Sequence, residues 1–237
     1  MMRLDKLLSD MGAGTRNALK KDIRNGLVKV NGETVYQAGM IVDETTAVIT
    51  YADQPIHYRE HFYFMMNKPA GTLCISGSPL SVLNLVAEPY KDLFCVGRLD
   101  KDTEGLLLIT NDGQLSHALL APRRHVDKVY EVTLRDPVTE EAIKKLEAGI
   151  RLNDEEVCAP AKVTVLEPNK VHLTIHEGKY HQVKRMFAMC DNEVTYLKRI
   201  QIRNLVLDPS LEPGEYRPLS EDEEADLKTV LEVKKEG

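Results

Sequence analysis

Asp100 is the side chain whose setting first suggests chemistry. It lies in the stretch Val96 to Gly113, VGRLDKDTEGLLLITNDG, where Arg98-Leu99-Asp100 precedes a polar turn and an apolar run that closes on Asn-Asp-Gly. Leu106 to Thr110, bounded by Gly105 and Asn111, reads as a buried strand. A carboxylate beside such a strand sits near low-dielectric surroundings and needs a cation, and Arg98 is one in the same turn. Two plainer readings compete. Asp100, Asp102 and Glu104 before Gly105 imitate the start of a calcium loop, but the closing position is Asn111 where a bidentate Glu is needed, and the residues between are strand formers. On spacing alone, an ordinary Arg-Asp surface turn is the simplest account.

The elements around this stretch must hold it. Leu4, Leu7, Leu8 and Met11 predict a short amphipathic helix ending near Gly12. Thr15 caps a second helix with Leu19 and Ile23 inward and Gly26 as its stop, and Arg16, Lys20 and Arg24 fall at successive i+4 positions to make a basic stripe. Leu27 to Val35 predicts a hairpin turning on Asn31-Gly32. Asp53 to Glu60, which contains Pro55 and shows no periodicity, is the expected linker. A strand over Phe62 to Met66, the turn Asn67-Lys68-Pro69-Ala70-Gly71 and a helix-like segment around Val82 to Val86 lead to the Asp100 stretch.

Beyond it, Asp112 caps a helix burying Leu115, Ala118 and Leu119, and Lys128 to Leu134 alternates as a strand with Tyr130, Val132 and Leu134 on one face. A helix over Thr139 to Gly149 and a hairpin of Lys162 to Leu166 with Lys170 to His176 follow. Val183, Met186, Phe187 and Cys190 then form the apolar stripe of a helix, with Lys184 and Arg185 off it. Glu193 to Ile200 and Gln201 to Leu207 are expected as two strands, and Ser220 with Glu223 forms a capping box for a terminal helix in a tail of net charge −4.

The 237 residues are 43% hydrophobic and 29% charged, a globular composition sufficient for one or two domains. Net charge is −6, yet residues 1–35 carry Arg3, Lys6, Arg16, Lys20, Lys21, Arg24 and Lys29 against Asp5, Asp10, Asp22 and Glu33. That is +3 at the start and −9 over the rest, so a basic N-terminal surface sits on an acidic chain. The four cysteines form no Cys-x-x-Cys pair, which argues against a zinc site or a disulfide framework and leaves reduced, buried thiols as the expectation. No membrane-spanning run or leader pattern is present, so a cytoplasmic protein is expected.

The order helix, basic helix and Val-x-Val-Asn-Gly hairpin resembles the S4-type RNA-binding module across the first ~50 residues. With Asn67-Lys68-Pro69-Ala70-Gly71, Gly97-Arg98-Leu99-Asp100 with Thr103, Lys128-x-Tyr130-x-Val132, Glu177 through Met186 and Pro213 through Leu219, nearly the whole chain resembles the bacterial rRNA pseudouridine synthases of the RsuA type. The resemblance implies an α+β protein: an S4-like RNA-binding domain with linker over residues 1–60, then a catalytic domain over 61–237 with a largely antiparallel mixed sheet and flanking helices.

It further implies an isomerase that turns a uridine of folded RNA into pseudouridine with neither metal nor organic cofactor. Asp100 would be the nucleophile, Tyr130 would lie against the flipped uracil, and Lys184 would pair with Asp100, with Arg185 as the alternative. Arg98, Lys179, Gln182 and Arg185 would contact substrate, and Arg3, Arg16, Lys20 and Arg24 would contact RNA phosphates. Arg98 acquires two readings, as the partner of Asp100 or as the side chain filling the space left by the flipped base. Small-subunit (16S) rRNA, naked or in an assembly particle, is the expected substrate of a monomer. Large-subunit (23S) rRNA, or a non-catalytic RNA-binding assembly role, is the alternative.

Overall fold

The computed structural model describes residues 1–232; the end of the expected acidic tail lies outside the described residues. The chain divides into two compact units, residues 1–62 with 87–93, and residues 63–86 with 94–237.

In the first unit, β1 (Met2–Arg3) leads into α1 (Leu4–Asp10) and α2 (Arg16–Arg24). The apolar faces of the two helices pack in one core with residues of β2 (Val28–Val30), β4 (Ile41–Val42) and β5 (Ile49–Tyr51); β4 pairs with β1, and β3 (Glu33–Thr34) and β6 (Gln54–Ile56) complete a sheet ordered β3-β2-β5-β6. Leu4, Leu7, Leu8, Leu19, Ile23 and Val28 are fully buried, each worth roughly 1.5–3 kcal/mol of transfer free energy. Asn31 and Gly32 both have positive φ, 53° and 86°, as the tight β2–β3 turn requires.

The expected linker is corrected here. Gln54–Ile56 is a strand, and Pro55 is tolerated because β6 is an edge whose missing amide costs no ladder bond. Residues 87–93 also belong to this unit, which no sequence signal predicted: Tyr90 stacks on Phe62 at 3.6 Å, and Lys91 reaches Ser9 and Asp10.

The second unit is built on one sheet, nine strands among the described residues. It contains β7 (Tyr63–Lys68), β8 (Phe94–Cys95), β9 (Glu104–Thr110), β10 (Lys128–Leu134), β11 (Lys162–Glu167), β12 (Lys170–Ile175), β13 (Val194–Ile202), β14 (Leu205–Val206) and β15 (Tyr216–Pro218). The order is β11-β12-β10-β13-β9-β7-β15, with β14 on β13 and β8 on β9, and every pairing is antiparallel except β9 with β13.

The unit's helices are α3 (Gly113–Leu120), α4 (Glu140–Ala148), α5 (Gln182–Ala188) and α6 (Glu221–Lys228). Residues of α4 and α5 pack with the β10 and β12 side chains in one core, and residues of α3 and α6 pack with β7 and β9 in another. The two expected strands of 193–207 are instead one nine-residue strand, β13, followed by the short β14; the break falls at Arg203, at φ 53°, not at residue 200. Of the four cysteines only Cys158 is fully buried, and the other three are half-buried. Among the described residues no helix is long and apolar enough to cross a membrane.

Candidate active site

The parallel seam between β9 and β13 fixes the Asp100 turn. Gly105 lies opposite Arg199 at φ +100°, and a Cβ there would meet the Arg199 carbonyl oxygen at 2.2 Å, so only glycine admits this approach. On the other side Gly105 pairs with Lys68 at the end of β7. Lys68 is fully buried, and its ammonium donates to the carbonyls of Thr103 (2.8 Å), Asp100 (3.1 Å), Pro69 (3.1 Å) and Lys101 (3.5 Å). Burial lowers the Lys68 pKa, and the ring of carbonyls is what replaces its lost water. The Thr103 amide donates to the Asp100 carbonyl at 3.1 Å and the Leu99 amide to Cys74 Sγ at 3.4 Å, so the backbone on both sides of Asp100 is held.

The Asp100 carboxylate is 28% exposed, with His181 Nε2 at 3.6 Å from Oδ1 and Lys184 Nζ at 3.8 Å from Oδ2. Lys184 donates to Asp102 at 2.6 Å, and that hydrogen bond holds the Asp102 carboxyl below its ordinary pKa. Asp102, which in the sequence figured only in the calcium-loop imitation, therefore anchors the cation that faces Asp100. The alternative pairing of Arg185 with Asp100 is not realised: Arg185 binds Glu156 and donates to the Tyr180 carbonyl at 3.1 Å, because its position on α5 points it along the preceding loop. Nor is an Arg98–Asp100 ion pair formed among the described residues; Arg98 is exposed.

Tyr130 sits in β10 opposite Arg199 and Leu173, 8% exposed, and its hydroxyl makes no hydrogen bond among the described residues. A cleft of about 420 Å³, within the range of small-ligand sites, is lined by Arg98, Asp100, Thr103, Tyr130, Lys179, Tyr180, His181 and Gln182, with Leu99, Ile175, Val183 and Leu197 as its apolar walls. The Thr103 hydroxyl is buried without a partner among the described residues.

The far wall is organised by Glu177. Burial pushes its carboxyl up, but Lys179, the Ala159 amide and Gln182 together hold it below the ordinary value. Gln182 donates to Glu177 at 2.8 Å and accepts from the Lys179 amide at 2.9 Å, so Lys179 and Gln182 shape the wall as well as line it.

Asp100, Tyr130, Arg98, Lys179 and Gln182 thus share one cleft, with Lys184 against Asp100. Sequence reasoning gave no role to His181, Tyr180, Thr103, Asp102 or Lys68. For Lys68 a signal existed: a lysine closing an apolar strand, Tyr63-Phe64-Met65-Met66-Asn67-Lys68, has to spend its charge on something inside.

In the first unit Arg3 and Arg16 converge on Asp5, a fully buried carboxylate. The hydrogen bond from Arg3 is the main cause that brings Asp5 down to about 2. Arg3, Lys20 and Arg24 border a hollow of about 480 Å³ with Tyr36 and Gln37, whereas Arg16 is turned to Asp5 at 3.2 Å.

Residues 62–189 match the RNA pseudouridylate synthase family and residues 2–48 match the S4 domain. The chain is 44% identical to the RNA pseudouridine synthase YtzG of Bacillus subtilis over 94% of its length and 96% of the relative's. It is 42% identical to ribosomal small subunit pseudouridine synthase A of Escherichia coli, over 95% of this chain and all of the relative. A crystal structure of a pseudouridylate synthase aligns over 97% of the chain and 100% of its own with a TM-score of 0.68 and 40% identity.

Proposed function

We propose, from the premise that the chain belongs to the RNA pseudouridylate synthase family and carries an S4 domain, that it isomerises one uridine of small-subunit ribosomal RNA, with Asp100 as nucleophile. The substrate is the one named for the relatives from Escherichia coli and Haemophilus influenzae. The observation that carries the roles is that Asp100 and Tyr130 line one cleft and a cation stands beside Asp100: Lys184 Nζ lies 3.8 Å from its carboxylate.

The chemistry breaks the bond between uracil N1 and the ribose C1′, turns the base over, joins C5 to C1′, and moves a proton from C5 to N1; no atom is gained or lost. A carboxylate attacks only when ionised, and a cation that stays nearby favours that form and fixes its direction. Lys184, tethered by Asp102, does this without collapsing onto the nucleophile. The uracil, out of its stack, lies against Tyr130, whose hydroxyl, without a hydrogen bond among the described residues, is available to the base or to the migrating proton. Exposed, and without an ion pair among the described residues, Arg98 is suited to fill the vacated place in the RNA. The protein works as a cytoplasmic monomer, which sedimentation checks.

The test is pseudouridine mapping of both ribosomal RNAs from cells lacking the protein, complemented with wild type or Asp100→Asn. One 16S site is expected to disappear and to return with wild type only. A lost 23S site would move the substrate to the large subunit, and no lost site in either RNA would leave the chain an RNA-binding assembly factor.

A further inference from the structure

Tyr180 is an aromatic side chain left 68% exposed at the cleft proposed above to take the uracil. Its ring lies on the imidazole of His181, with centroids 3.8 Å apart and 19° between the planes. That imidazole in turn has Nε2 3.6 Å from Asp100 Oδ1, so the ring pair begins one contact away from the proposed nucleophile.

The backbone beneath the pair is built to hold it. His181 has φ 47°, in the left-handed region that residues with a Cβ rarely adopt. The Arg185 amide donates to the His181 carbonyl at 3.0 Å, and the Arg185 guanidinium donates to the Tyr180 carbonyl at 3.1 Å. Arg185 is itself tied to Glu156. The neighbouring Lys179 is neutralised by Glu177, so the feature this wall offers is an aromatic face and not a phosphate clamp.

Pulling a uridine out of RNA leaves its neighbours with a lost stacking partner, and any base can recover that contact on an aromatic ring. We infer that Tyr180, backed by His181, is a shelf on which the base adjacent to the target uridine stacks. The subsite would take the flanking nucleotide through its π-face, with little preference for its identity. The inference rests on the isomerase reading above and adds a substrate contact to it.

The test uses an RNA oligonucleotide spanning the mapped uridine, with 2-aminopurine placed in turn on either side of it. Wild type should quench the fluorescence at one flanking position and convert the uridine. Tyr180→Ala should lose that quench and raise the half-saturating concentration roughly tenfold, while the single-turnover rate at saturating enzyme changes little. Tyr180→Phe, which keeps the ring and drops the hydroxyl, should behave as wild type. If Tyr180→Ala retains the quench and the half-saturation value, or if Tyr180→Phe fails as Ala does, the shelf is wrong. A wild-type protein that forms no pseudouridine in this RNA would instead sink the isomerase reading, whatever the variants do.

Discussion

Lys184 divides its charge between two carboxylates, at 2.6 Å from Asp102 and 3.8 Å from Asp100. The shorter contact is mostly with solvent-facing oxygen, since Asp102 is 72% exposed, and a pair of this kind contributes little to stability. Its value is positional: the ammonium is kept beside the proposed nucleophile without forming a tight pair that an attacking carboxylate would first have to break. Lys184→Ala should therefore lower the single-turnover rate by roughly 10²-fold, the scale of removing one pre-placed electrostatic partner, with RNA affinity nearly unchanged. Asp102→Asn should cost less, because Lys184 survives and only its tether is lost. Equal losses in rate from the two variants would mean that the tether and not the charge is what Asp100 needs. Single-turnover kinetics with binding measured separately decides between them.

At the scale of elements, the Asp100 turn is held from beneath by the end of β7. Lys68 donates to carbonyls on both sides of the turn and has no carboxylate partner in hydrogen-bond contact among the described residues. Lys68→Met should strand those carbonyls and lower stability by about 1–3 kcal/mol in urea unfolding. Turnover should fall further than the loss of folded protein explains, since the turn loses its clamp. Unchanged activity in a correctly folded Lys68→Met protein would refute the clamp. How legible such features were in the sequence follows from their range. The strand Lys128–Leu134 and the helix capped by Asp112 were readable because alternation and capping are local. Asp100 stands out as an ionisable residue in a strand-flanked turn, but its expected role, like those of Lys184 and Tyr130, came from family resemblance. The contacts of His181 with Asp100 and of Lys68 with Thr103 link residues far apart in the chain, and no periodicity encodes them. Pro55 misled for the opposite reason: it is a poor strand residue in general, and only knowledge that β6 is an edge reverses the expectation.

Taken whole, the molecule is acidic at −6, yet its first 35 residues carry +3. Such a chain cannot hold RNA by net charge, so phosphate contacts must be concentrated on a patch. The stripe of Arg16, Lys20 and Arg24 is not uniform in this respect. Arg16 spends its guanidinium on buried Asp5, whereas Lys20 and Arg24 border the hollow shared with Arg3. The hollow-side pair should therefore dominate the salt dependence of binding. Each phosphate contact removed releases one fewer condensed counterion, so replacing Lys20 and Arg24 with Ala should flatten the plot of log affinity against log salt by about 1.5. Arg16→Ala should flatten it less and should lower thermal stability more, because it leaves Asp5 with one fewer cation in a fully buried site. Neither change should alter the single-turnover rate at saturating enzyme, since the Asp100 turn and its cation belong to the other unit. Filter binding across a salt series, run beside single-turnover assays on the same RNA, checks both halves. A fall in the saturated rate of the Lys20 and Arg24 variant would mean that the S4 unit acts on the chemical step itself, and the division of labour between the units would have to be abandoned.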